Sequence, residues 1–248
     1  MLFDLSPWVL VFIGVAGFVT AVIGGVAGIG TAIAMIPVMT FAVGVREAIP
    51  IVAIAVTLNS VGRIVANRHF IDYRVVLWFS IGAVPTSFVG GALFASAPAE
   101  LLARGLAIFL IALVAYRHMP IGKSLQMRQV KKFGFVGLVQ GFLSSIFGGA
   151  GPFGAHFFLS YGLYRQSFVG TVALATSSIN LAKTSTYASY SLLDRDALAL
   201  GLIIGVIMIV GAYFGGRLVN RLPDRVFVYI VEGVMLTAAG ALLIRGYA

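Results

Sequence analysis

A chain of 248 residues that is 60% hydrophobic and only 10% charged is far more apolar than a soluble domain, in which about a quarter of residues are charged. No polar stretch is long enough for a soluble catalytic domain, which weighs against most enzymes, and the absence of cysteine excludes disulfide and thiol chemistry. The net charge of +9 is spread as single basic residues over short loops, which reads as positive-inside topology and not as a nucleic-acid surface.

The start, "MLFDLSPWVLVFIG", carries Asp4 where a signal peptide has a basic region, so it reads as mature sequence entering the membrane directly. An uncharged run then covers residues 5–45. As one helix at ~1.5 Å per residue it would measure roughly 60 Å, twice the ~30 Å hydrocarbon core. It must therefore cross twice or enter and leave on one side as a broken hairpin. Its middle, "VIGGVAGIGTAIAMIP", holds Gly24, Gly25, Gly28 and Gly30, where either turn would fall. Hydrophobic segments follow at residues 48–66, 75–94 and 101–116. The most polar stretch, residues 117–132, reads as a central cytoplasmic loop. A second uncharged run, residues 133–164, contains "SIFGGAGPFGAHFF", and further segments lie at 167–193, 197–216 and 226–244.

The two halves share an order of landmarks. "GFV" opens each at Gly17 and Gly134, and Gly28 and Gly30 correspond to Gly149 and Gly151. Asn59 follows the first cluster at the interval at which Asn180 follows the second. "DYR" at Asp72 faces "DRD" at Asp194, and Gly90–Gly91 with Pro98 faces Gly215–Gly216 with Pro223. A tandem duplication is expected, with repeats at residues 1–116 and 133–248. If each long run is a same-side hairpin followed by three full spans, each half crosses an odd number of times and the second half is inverted. With Arg117, Lys123, Arg128, Lys131 and Lys132 in the cytoplasm, Arg68, Arg74, Arg165, Arg217, Arg221 and Arg225 join them. Arg46, Arg195 and Arg245 stay outside. A parallel arrangement would turn Arg217, Arg221 and Arg225 outward, so the positive-inside rule favours inversion. The expected fold is an all-α polytopic membrane protein of two inverted repeats. Each repeat is a broken or re-entrant glycine-rich segment plus three transmembrane helices. Such repeats, broken in matching positions, are a signature of secondary transporters.

Bare backbone at membrane depth is tolerated only where protein buries it or where it lines a cavity. A helix restarting after such a break directs unpaired N–H groups and a positive dipole end at whatever lies there, which suits an anion. Thr31, and Ser144 beside the second cluster, would add hydroxyl donors. The competing reading of the glycines is close helix packing. Two matching clusters, each inside an over-long run, favour a cavity. Polar residues inside spans form the second constellation. Asn59 and Arg63 share a helix face, as do Asn180, Lys183 and Thr184. A cation in a span is a functional candidate, and two of them with two helix N-termini would suit a small divalent oxyanion. For Arg63, five residues before Arg68, snorkelling to the interface weighs equally. His156 reads as a hydrogen-bonded packing residue, Asp72 and Asp194 as solvated segment ends, and Glu232 as a proton carrier or an ion-pair partner. No metal-ligand cluster, Walker loop or nucleophile elbow is present in the sequence, and "GGVAGIG" lacks the βαβ context of a dinucleotide loop.

These residues also carry a resemblance. The duplicated architecture, "GGVAGIGTAIAMIP" with Pro37 behind the glycines, "NRHFIDYR", and "GG…P" in both halves resemble the TauE/SafE family of membrane permeases, the sulfite exporters, over residues 8–245. The resemblance implies a transporter of small sulfur-containing anions, sulfite or organosulfonates, in a bacterial-type inner membrane. It also implies a substrate pathway along the glycine-rich stretches. The expected function is a secondary transporter, exporting its anion through a central cationic site that the halves expose to one side at a time. The alternatives are an anion channel with the same pore or a permease for another small carboxylate or sulfonate. Expected partners are the small anion and the lipid bilayer, with no nucleic acid, metal or cofactor; homo-oligomer formation stays open.

Overall fold

The computed structural model describes residues 6–27, 31–118 and 127–218, with the isolated positions 233, 236, 237, 239 and 240. Gly28, Gly30, residues 119–126 of the central loop and most of the segment at 226–244 lie outside the described residues. Over the described residues the chain is helical and without strands. Its elements are α1 (Pro7–Ala27), α2 (Thr31–Val43), α3 (Val45–Asn67), α4 (Tyr73–Ser96), α5 (Ala99–His118), α6 (Phe133–Phe147), α7 (Gly151–Ser160), α8 (Arg165–Ser189) and α9 (Arg195–Leu218), with single 3-10 turns at Arg68–Phe70 and Val130–Lys132.

Among the described residues, five stretches are long and apolar enough to cross a membrane: Val45–Phe70, Tyr73–Ser96, Ala99–Tyr116, Val130–Phe147 and Arg195–Phe214. Helix α8 has the length, 25 residues, but its serines, threonines, Asn180 and Lys183 make it too polar for that group. It can afford them because α3 and α4 pack against it. The outward faces are apolar instead: Val11, Phe12 and Val15 on α1, Leu77 and Ile81 on α4, Leu101 and Ile108 on α5, and Ile203 and Val206 on α9 are exposed. A surface of that kind belongs in lipid.

Both long uncharged runs are broken. Helix α2 has 13 residues and α7 has 10, or about 20 Å and about 15 Å, well short of the ~30 Å core. Each folds back along the helix before it. The Met35 Cε of α2 lies 3.8 Å from where a Cβ on Gly17 of α1 would stand, whereas a straight helix would separate those residues by about 27 Å. Likewise, the Gln140 Oε1 of α6 reaches the position a Cβ on Gly154 of α7 would occupy. The second break is made by Gly148, which ends α6 in the left-handed region at φ 83°, where a side chain would strain the backbone.

The helices exchange partners reciprocally. Helix α4 packs on α6 and α1 on α9; α3 packs on α9 and α8 on α4; α3 and α8 meet each other at the centre. Two glycines hold comparable packing roles, Gly90 on α4 and Gly211 on α9. A Cβ on Gly90 would lie 2.8 Å from the Phe142 carbonyl oxygen of α6, and one on Gly211 2.6 Å from the Phe18 carbonyl oxygen of α1. Asp72 and Asp194 also act alike, but as caps. Asp72 Oδ1 accepts from the backbone N–H of Arg74 and Val75 at the start of α4, and Asp194 Oδ1 from that of Ala197 at the start of α9. Each satisfies N–H groups that the first turn leaves without partners.

Between α4 and α6 the backbones themselves touch. A Cβ on Gly82 would stand 1.9 Å from the Gly134 carbonyl oxygen, and one on Gly137 2.0 Å from that of Phe79. Small residues at helix contacts in lipid stabilise by letting the main chains approach. Gly82→Ala and Gly137→Ala are therefore expected to force α4 and α6 apart at a cost of about 2–3 kcal/mol. Gly62→Ala, whose Cβ would meet nothing nearer than Ile209 at 3.8 Å, is expected to be neutral. Thermal denaturation of the three variants in detergent checks this.

Candidate functional site

The centre of the molecule is the contact between α3 and α8. Its register is set at one end, where Gly170 of α8 abuts Asn67 and Ile71 and the Asp72 N–H donates to Thr171 Oγ1 at 2.9 Å. The end of α3 thus meets the start of α8, and the two helices run antiparallel along their shared contact. Measured from that end, Asn59 lies about 12 Å along α3 and Asn180 about 15 Å along α8, so the asparagines stand at nearly one level. Arg63 lies about 6 Å from the same end and Lys183 about 20 Å from it. The two cations therefore do not face each other at one height, but bracket the asparagine level from opposite sides.

All four side chains are buried: Asn59 is 1% exposed, Arg63 8%, Asn180 5% and Lys183 1%. Arg63 does not snorkel. One terminal N–H group of its guanidinium donates to Ser60 Oγ at 2.9 Å, and its Nε is buried without a hydrogen-bond partner. Both amide atoms of Asn59 and the Oγ1 of Thr184 are likewise buried and unpartnered. Among the described residues the ion pair found is that of Glu100 with Arg104 on the surface, and no carboxylate pairs with Arg63 or Lys183. An isolated cation held away from water is costly, so each of the two must find compensation other than a carboxylate.

The Lys183 ammonium has a partner of another kind. It donates to the carbonyl oxygens of Gly148, at 2.8 Å, and Ser144, at 3.3 Å. One turn further along α8, the Tyr187 hydroxyl donates to the carbonyl oxygen of Ser145. Two of the three ammonium N–H groups and one phenol thus cover carbonyls that the end of α6 leaves without helical partners. The positive charge also sits at the negative end of the α6 dipole. Ser144 enters the site through its carbonyl, while its neighbour Ser145 keeps a buried hydroxyl without a partner.

The second break is also in contact with the first broken segment. A Cβ on Gly149 would lie 3.0 Å from Ala32 Cβ, and one on Gly148 3.3 Å from Ile49 Cγ1 and against Ile36. The first turn of α2, beginning with buried Thr31, therefore rests against the glycines after α6. Gly151 opens α7 with Pro152 behind it. So the structure brings Thr31, Gly149 and the carbonyl of Ser144 together around the second break, with Lys183 reaching into it. Asn59, Arg63 and Asn180 lie along the neighbouring α3–α8 seam.

Two participants are missing from the reading by sequence. Gln140 is 2% exposed, its Oε1 has no hydrogen-bond partner, and it braces α7. The signal was there, for it is the one polar side chain in residues 133–143. Tyr187 was hidden among the aromatic residues of an apolar chain; its place one turn after Lys183 was the available clue. His156 is not hydrogen-bonded at Nε2, which is buried without a partner, and its ring lies edge-on to Phe157.

Apolar outer helices, several of them long enough to cross a membrane, and two short helices folded back along their predecessors describe a membrane protein. The chain belongs to the TauE/SafE sulfite exporter family, whose model matches residues 13–243. Neither among curated proteins nor among solved structures does any match the chain.

Lys183→Met orphans two buried carbonyls, a loss offset in part by removal of a desolvated charge. A net destabilisation of roughly 2 kcal/mol is expected, and about 1 kcal/mol for Tyr187→Phe, which frees one carbonyl. Melting temperatures of the purified variants measure both.

Proposed function

We propose that this protein is a secondary transporter that moves a small sulfur-containing anion, sulfite or an organosulfonate, outward across a bacterial-type inner membrane. Its parts would be two inverted repeats, residues 1–116 and 133–248, around one central site. The antiparallel packing of α3 and α8, which hold equivalent places in the two halves, supports inversion: a two-fold axis relating them must reverse the direction of the chain. The reciprocal contacts of α1, α4, α6 and α9 are those that such an axis would produce. Helices α2 and α7 then act as re-entrant elements.

The observation that carries the reading is the pair of buried cations without carboxylates, Arg63 and Lys183, on either side of the Asn59–Asn180 level. Arg63 and the two asparagines would contact the anion. Lys183 would contribute charge while it holds the second break in place, and Thr31, Thr184 and the backbone from Gly149 to Gly151 would line the approach. Gly28 and Gly30 take the corresponding place in the first half. The site is shut off from solvent in this conformation, with Asn59 and Lys183 each 1% exposed, which fits alternating access better than an open channel. An interior-negative potential drives an anion outward, by about 2.3 kcal/mol per charge for each 100 mV.

Efflux of labelled sulfite or an organosulfonate from proteoliposomes tests this. Flux is expected to rise with an interior-negative potential, and to fall by about tenfold or more in Arg63→Gln and Asn180→Leu. Unchanged flux in both variants, purified as stable protein, would remove the site, and sustained single-channel currents would replace the transporter by a channel.

A further inference from the structure

The Asn59 side chain places an unusual demand on whatever binds beside it. Its amide offers a donor at one end and an acceptor at the other. Both ends are buried and both lack a partner; turning the amide over exchanges the two ends and leaves the demand unchanged. One turn along the same helix face, the Arg63 Nε is a third buried atom without a partner, and it can only donate. Side chains four apart on a helix are about 6 Å apart at their Cβ atoms, within the reach of one compact oxyanion. Two donors suit oxygens that carry negative charge. The Asn59 oxygen does not: facing a bare oxyanion it would meet lone pairs with lone pairs and stay unsatisfied.

We propose that the anion bound at Asn59 and Arg63 is a singly charged oxyanion that keeps one O–H group. Its O–H donates to Asn59 Oδ1, while its charged oxygens accept from Asn59 Nδ2 and Arg63 Nε. Resting on the function proposed above, this selects hydrogensulfite over the sulfite dianion, and places a sulfonate without a hydroxyl below it. The selection has a physical basis. A site that hydrogen-bonds a ligand hydroxyl discriminates strongly against an analogue lacking it, because its own buried polar group is then left bare. The single charge also matches the place: Arg63 is the one cation within a turn of Asn59, and Lys183 is occupied by the carbonyls of Ser144 and Gly148.

The test compares three anions on the purified full-length protein at mildly acidic pH, by thermal stabilisation and by competition against labelled efflux. Hydrogensulfite carries one charge and an O–H, methanesulfonate one charge and no O–H, and sulfate two charges and no O–H. Hydrogensulfite is expected to bind about tenfold or more tightly than either of the others. In Asn59→Leu, which keeps the size of the side chain and removes its polarity, the preference over methanesulfonate should collapse to about twofold or less. Methanesulfonate binding within about twofold of hydrogensulfite in the wild-type protein overturns the proposal whether or not the variant folds, and leaves anion transport standing. If none of the three stabilises the protein or competes, the underlying site fails and this inference with it.

Discussion

Inside a bilayer a broken helix has no water to turn to, and this constraint governs the architecture around α6. The last carbonyls of that helix are satisfied from outside it, by Lys183 and Tyr187 of α8. Those bonds tie the position of the break to a helix that itself can only exist in the interior, because its own polarity bars it from lipid. The break, the polar central helix and the apolar shell around both are one solution to one problem. The unpaired backbone must be buried, what buries it must be polar, and the polar element must in turn be wrapped by apolar helices.

The same reasoning explains why the two halves are alike in plan and unlike in detail. Asn59 and Asn180 occupy matching positions, and Asp72 and Asp194 cap matching helices. The cations do not match: Gly62 stands where Lys183 would be expected on α3, and Arg63 donates to Ser60 of its own helix and not to the end of a neighbour. One half uses its cation to secure a break, whereas the other leaves a guanidinium nitrogen without a partner beside an equally unpartnered amide. The two buried cations are thus put to two different electrostatic uses.

Much of the fold was legible in residue order. An uncharged run twice too long to cross once forces a break, and glycines in its middle locate it; α1–α2 and α6–α7 follow from that arithmetic. Asn59, Arg63, Asn180 and Lys183 were visible because polar side chains in spans stand out against an apolar background. What the carbonyls of Ser144 and Gly148 do for Lys183 was not legible, since backbone groups have no signature in sequence, and a lysine seeking an anion reads the same as one capping a helix. The packing role of Gly211 is not legible for a related reason, since it depends on which carbonyl approaches it. Gln140 was overlooked because one amide in a run of apolar residues looks like tolerance until Gly154 is found leaning on it.

The contact of α4 with α6 has a mechanical consequence. Where two backbones touch through glycine there is little slack, so that pair moves as one piece, and the pair of α1 with α9 stands in the corresponding relation. Each of these pieces takes one helix from either side of the central loop. The segments before and after that loop therefore complete one another, like two hands with interlaced fingers, and a movement that parted them would have to separate both pairs.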